Sequence, residues 1–212
     1  MQELDLDPQT SPLAFLSSTA FRKVHTNLPP AELVEIALAR NEGKLTSTGA
    51  LMADTGKFTG RSPKDRYIVL DDKTKDSVWW GDINIPFDYE KFHLLLEKMK
   101  AFLADKELFV RDAYAGADVN HRLKSKKINT KAWHNLFCYN MFLRPSEDEL
   151  KNFERDFTII CAPEFQANPE TDGTKNPNFA ILNLSERIIL IGGTGYAGEI
   201  KNIHEIGLHK LG

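Results

Sequence analysis

The sequence predicts an α/β fold, a mixed β-sheet flanked by helices. Three observations point there. Helical apolar stripes alternate with short β-type runs along the chain. The last third is dominated by such runs: Phe157-Thr158-Ile159-Ile160-Cys161, Phe179-Ala180-Ile181-Leu182 and Ile188-Ile189-Leu190-Ile191. Finally, a loop shaped by two glycines and a proline, from Asp54 to Arg66, leads directly into the apolar run Tyr67-Ile68-Val69-Leu70.

The elements follow in order. Residues 1–26 read as an irregular arm, with Pro8 and Pro12 among small polar residues. Pro29-Pro30 opens a helix in which Leu33, Ile36, Ala37 and Arg40 keep helical spacing, and Gly43 supplies a stop. Thr48 to Ala53 reads as a strand, and Trp79-Trp80-Gly81 as a loop whose indoles pack. Asp88 caps a long helix, since Phe92, Leu95, Leu96, Met99, Phe102 and Leu103 form one apolar stripe. Glu107 to Ala113 reads as a strand. The basic stretch 121–131 (His121, Arg122, Lys124, Lys126, Lys127, Lys131) has no interleaved aromatic and reads as a solvated face. Trp133 to Leu143 predicts a helix, and Ser146-Glu147-Asp148-Glu149 has capping-box spacing at the head of another. A polar loop spans Ala167 to Asn178.

Composition excludes several classes. At 212 residues, 42% hydrophobic and 27% charged, the chain can bury a substantial core and is not a disordered tail. A net charge of -3 gives no general attraction to nucleic acid, so any anion site must be local. No run of about 18 apolar residues suggests a membrane span, and the acidic N-terminus lacks a secretory h-region. Cys138 and Cys161 have no CxxC partner, which fits a reducing cytoplasm and neither a disulfide framework nor zinc. The six histidines (His25, His93, His121, His134, His204, His209) show no metal-ligand spacing.

Two glycine turns carry the chemical signal. In Asp54–Tyr67 the glycines permit close backbone approach, and Arg61 offers a planar fork of donors to a carboxylate or phosphate. An ordinary solvated loop would share that composition. A Walker reading of Gly56-Lys57 fails, because Leu51 and Phe58 stand where glycine and a hydroxyl residue are needed. In the second turn, Gly193-Thr194-Gly195-Tyr196-Ala197-Gly198 satisfies GxGxxG after a strand, but the acid expected roughly 20 residues further on for a dinucleotide site is not in the sequence. Tyr196 and Lys201 flank this turn. A lysine there can place a point charge on a phosphoryl or carboxylate oxygen, or simply open a helix at the surface.

Taken together, DTGKFTGRSPKDRYIV (54–69), NMFLRPSEDEL (140–150) and NFAILNLSERIILIGGTGYAGEIK (178–201) resemble the ATP-dependent phosphoenolpyruvate carboxykinases. WWGDIN near residue 79 and FVRDAYAGAD near 109 add to the resemblance, which covers residues 30–201. It implies the N-terminal domain of that enzyme, with oxaloacetate and ATP giving phosphoenolpyruvate, CO2 and ADP, a step of gluconeogenesis in the cytoplasm. Arg61 matches the substrate-binding arginine, and Tyr196 the tyrosine lying over substrate or CO2. Lys201 matches the lysine that contacts the transferred phosphoryl group. The family's metal-binding lysine falls at Asn202, whose amide cannot reproduce an amine ligand.

The resemblance therefore divides the chain into an arm (1–26), a carboxykinase-like substrate-side domain (27–201) and a divergent tail (202–212). ATP and a divalent metal (Mg, Mn) belong to the complete enzyme, whose nucleotide-binding domain this truncated sequence does not contain. Alone, the chain is expected to bind none of them and to be inactive, with oxaloacetate or phosphoenolpyruvate as its small-molecule partner and neither nucleic acid nor membrane. The alternative is a non-catalytic anion-binding or regulatory module derived from that enzyme. A missing partner domain also implies an exposed charged or apolar concave face near Arg61 and Tyr196.

Overall fold

The computed structural model describes residues 21–201. An eight-stranded mixed sheet forms the centre, in the order β1-β6-β7-β8-β10-β9-β4-β5. Its strands are β1 (Lys23–Thr26), β4 (Arg66–Val69), β5 (Ile85–Phe87), β6 (Glu107–Ala115), β7 (Leu123–Asn129), β8 (Phe157–Ala162), β9 (Phe179–Asn183) and β10 (Ile188–Gly192). A separate antiparallel pair joins β2 (Gly43–Leu45) to β3 (Leu51–Ala53). The helices are α1 (Pro30–Ala39), α2 (Tyr89–Leu103), α3 (Ala132–Met141), and the single turns α4 (Glu147–Leu150) and α5 (Pro169–Asp172).

Strand alternation sorts side chains into two apolar layers. Ile188 and Leu190 face α2, joining Phe92, Leu95, Leu96, Met99 and Leu103. Ile189 and Ile191 face the other way, joining Cys138 of α3 and Ile200. Every residue of β8, β9 and β10 is buried, so these runs are apolar without alternation, as expected for strands covered on both faces. Each large side chain in the α2 stripe stabilises the fold by about 1.5–3 kcal/mol relative to exposure. Asp88 caps α2 by accepting from the Lys91 amide, and Ser146 and Glu149 close the capping box of α4, both as the sequence predicts.

Several expectations need correction. Lys23–Thr26, placed in the irregular arm, is an edge strand parallel to β6; residues 1–20 of that arm lie outside the described residues. The helix stop is Asn41, in the left-handed region at φ 55°, whereas Gly43 already belongs to β2. A Cβ there would meet the Met52 carbonyl at 2.5 Å. Trp79 is 88% exposed rather than packed. Helix α3 ends at Met141 because Phe142 turns extended and Leu143 bridges Tyr114.

The largest correction concerns the basic stretch. It is not a solvated face: Leu123–Asn129 is an interior strand between β6 and β8. Lys126 and Lys127 are both buried. Lys126 pairs with Asp112 at 2.7 Å. Lys127 donates to Ser125 Oγ and lies 3.8 Å from the centre of the Phe142 ring. Charge patterning misled here because Asp112 comes from the neighbouring strand β6 and the Phe142 ring from just beyond α3.

Candidate active site

The first glycine turn is held at both ends. Asp54 Oδ1 accepts the Gly56 amide at 2.8 Å, which lets Gly56 turn through φ 64°. At the far end Pro63–Asp65 forms one 3-10 turn. The Asp65 carboxylate is buried and accepts Asn176 Nδ2 at 2.7 Å and Asn178 Nδ2 at 2.8 Å. Arg66 then donates through Nε to Glu199. Between these anchors Arg61 is exposed, and among the described residues it makes no hydrogen bond or ion pair.

The second turn leaves β10 through Gly193 at φ 69°. Its backbone seats against the first turn: a Cβ on Gly195 would lie 2.6 Å from the Thr55 carbonyl oxygen. That spacing admits only glycine unless the backbone moves. Tyr196 follows, half-buried, with its ring packed over Gly198 so that a Cβ there would meet the ring at 2.6 Å. Residues 198–201 are helical, with Ile200 buried in the core and Lys201 half-buried. Asn202 lies outside the described residues.

The two turns thus meet at Thr55–Gly195 and are tied by Arg66–Glu199. Beside that junction opens a cleft of about 400 Å³, whose lining includes Thr55, Lys57, Lys131, His134, Glu164 and Gly195. Arg61, Tyr196 and Lys201 are not part of that lining.

The sequence reading missed the groups behind the junction. His134 is wholly buried on α3, with Nε2 3.0 Å from the Gly195 carbonyl oxygen and Nδ1 3.5 Å from Cys161 Sγ. Burial pushes its pKa down to about 4, against the opposing pull of the Gly195 carbonyl. Burial also lifts the Cys161 thiol well above its ordinary value. A Cys–His pair therefore exists in space, but its members are neutral and do not form an activated nucleophile. Glu164 accepts Lys131 at 2.8 Å and Thr130 Oγ1 at 2.7 Å. Burial raises the pKa of Glu164, and these two bonds, a backbone hydrogen bond and the Lys131 charge together outweigh it to hold the carboxyl below the usual range. Glu42 is raised by burial despite accepting the Trp133 amide at 3.1 Å. The one sequence signal for His134 was a polar ring, next to Asn135, within a helix whose other residues are mostly apolar or aromatic.

For the divalent metal implied by the resemblance, the described residues offer no fit: no group of three or more His, Cys, Asp or Glu among them is placed to hold an ion. What the structure does bring together is the two glycine turns, packed backbone to backbone at Thr55 and Gly195 beside the cleft.

A mixed α/β sheet carrying two glycine turns packed against each other defines the class, and comparison with known proteins gives the family. The phosphoenolpyruvate carboxykinase family model matches residues 22–204. The chain belongs to the ATP-dependent phosphoenolpyruvate carboxykinase family. It is 56% identical over 178 residues to phosphoenolpyruvate carboxykinase (ATP) of Christiangramia forsetii, covering 84% of this chain and 34% of that protein. The Flavobacterium johnsoniae protein of the same name is 54% identical, with 84% and 33% covered. That of Geobacillus thermodenitrificans is 51% identical, with 84% and 34% covered. The chain thus spans about a third of the length of these relatives. The family match takes in the β1 strand and runs past Asn202, where the motif resemblance stops.

Proposed function

We propose that this chain is the substrate-side part of an ATP-dependent phosphoenolpyruvate carboxykinase, acting in the cytoplasm in gluconeogenesis. The complete enzyme converts oxaloacetate and ATP to phosphoenolpyruvate, CO2 and ADP. Loss of CO2 breaks a carbon–carbon bond and leaves its electron pair on an enolate, whose oxygen then accepts the phosphoryl group. Both species are anionic, so fixed cationic donors stabilise them without reorganisation. In this reading Arg61 grips a carboxylate of oxaloacetate through its guanidinium fork. Tyr196 covers the substrate or the departing CO2. Lys201 neutralises charge on the transferred phosphoryl oxygens. Asn202 occupies the family's metal-lysine position, and an amide oxygen there is a weaker substitute for an amine.

The observation that supports this most directly is the junction of the two turns, with no room for a side chain between Thr55 and Gly195. Calorimetric titration of the 212-residue chain with oxalate tests it. Saturable binding that Arg61→Ala abolishes is expected, and no binding at millimolar oxalate would contradict it. Turnover is a second arm. The chain carries no Walker-type loop and is expected to be inactive alone; ATP- and metal-dependent CO2 release from oxaloacetate at an ordinary enzymatic rate would contradict that. Binding without turnover is also what a non-catalytic anion-binding module would give, and restored turnover on adding the rest of a relative's chain separates the two.

A further inference from the structure

We propose that His134 is a positioning residue for Tyr196, holding the carbonyl of Gly195 and thereby fixing the turn that presents the phenol. The inference rests on the functional reading above and adds a residue to its site.

The bonding pattern leaves one arrangement for the ring. A carbonyl oxygen can only accept, so the nitrogen 3.0 Å from it, Nε2, carries the proton. A neutral imidazole then has an acceptor at Nδ1, which faces Cys161 Sγ at 3.5 Å, and the thiol donates. The Trp133 ring meets the imidazole edge-on at 4.2 Å between centroids and fixes its plane. Behind it, α3 packs on α1 and on β6 and β7, so the donor stands on a rigid element. The bond links residues 61 positions apart and reaches the peptide immediately before Tyr196.

Gly195 has little freedom of its own. Its α-carbon is pressed against Thr55 on one side, while its carbonyl points to His134 on the other. Both Gly195 and His134 line the cleft beside the junction, so a released carbonyl can turn toward water there. Such a turn rotates the Gly195–Tyr196 peptide and carries the phenol with it. A histidine that only fills core volume would not have this consequence, and that difference is measurable.

The test compares the 212-residue chain with His134→Gln, whose amide N–H can reach the same carbonyl, and His134→Phe, which keeps volume and loses the donor. The readouts are oxalate affinity, unfolding midpoint, Tyr196 ring resonances, and the histidine tautomer from 15N NMR. The expected results are the Nε2–H tautomer in the parent, oxalate binding weakened about tenfold in His134→Phe, and recovery to within about threefold in His134→Gln. Equal oxalate affinity in parent and His134→Phe overturns the inference, as does the Nδ1–H tautomer. Equal loss in both variants, tracking equal falls in unfolding midpoint, means packing only and also overturns it. If the parent itself binds no oxalate, the functional reading fails separately. The tautomer and Tyr196 resonances still decide this proposal, which is overturned if His134→Phe leaves the ring signals unmoved.

Discussion

Arg66 and Glu199, 133 residues apart in sequence, form a buried ion pair that ties the strand after the first glycine turn to the helical residues after the second. The Glu199 side chain is 3% exposed and that of Arg66 is 15% exposed. Removing one partner strands a buried charge, whereas removing both does not. Glu199→Leu is expected to cost about 3–5 kcal/mol, with the double variant Arg66→Met/Glu199→Leu recovering most of it. Denaturant unfolding of the three proteins measures this; a double variant as unstable as the single would mean that the pair contributes through packing alone.

Gly195→Ala tests the contact between the turns. The new methyl would stand 2.6 Å from the Thr55 carbonyl oxygen, a backbone atom that cannot swing aside. A destabilisation of about 1–3 kcal/mol is expected from the forced shift, together with weaker oxalate binding. Unchanged unfolding and unchanged affinity would show that the turns can part freely.

His134 makes stability depend on acid. Its folded pKa is about 4 and its ordinary value 6.5, so between those values the unfolded chain binds the extra proton. Stability from this group is complete above about pH 6.5 and is lost as pH falls toward 4, a swing of roughly 3 kcal/mol at most. The difference in urea stability between parent and His134→Gln at pH 7.5 and 4.5 isolates it. A difference that does not change with pH would contradict the buried neutral ring.

Lys127 acts in the opposite part of the pH range. Burial lowers its pKa from 10.5 to about 8, so at neutral pH the folded protein carries a buried ammonium. Stability should rise from pH 8 to 10.5 as the folded amine sheds its proton before the unfolded one does. Lys127→Met should flatten that rise and add about 1–3 kcal/mol at pH 7. Ser125 keeps its bond to the Ala113 carbonyl at 2.9 Å, so the substitution orphans no donor. A less stable Lys127→Met protein would mean that the contacts of the ammonium outweigh its burial.

What was legible in the sequence follows from the range of the interactions. Helix α2 and strands β8, β9 and β10 announce themselves because periodicity and unbroken apolar runs are local signals. The Asp88 cap and the Ser146 box are equally local. Strand β7 was hidden, because two lysines in a row read as solvent-facing until Asp112, Ser125 and the Phe142 ring are brought beside them. Around the candidate site, the two glycine turns were visible as local motifs. His134, Glu42 and Glu164 were not, since each acquires its meaning from a partner on another element. The meeting of Thr55 with Gly195 is likewise a tertiary fact that no motif encodes.

The central claim is that Arg61 and Tyr196, delivered by two separate turns, grip the same small dianion. An NMR titration of the chain with oxalate, following the Arg61 guanidinium and the Tyr196 ring together, tests it most directly. Both sets of resonances should move along one saturation curve with a single dissociation constant. Movement of only one set, or two curves with different midpoints, would contradict the claim.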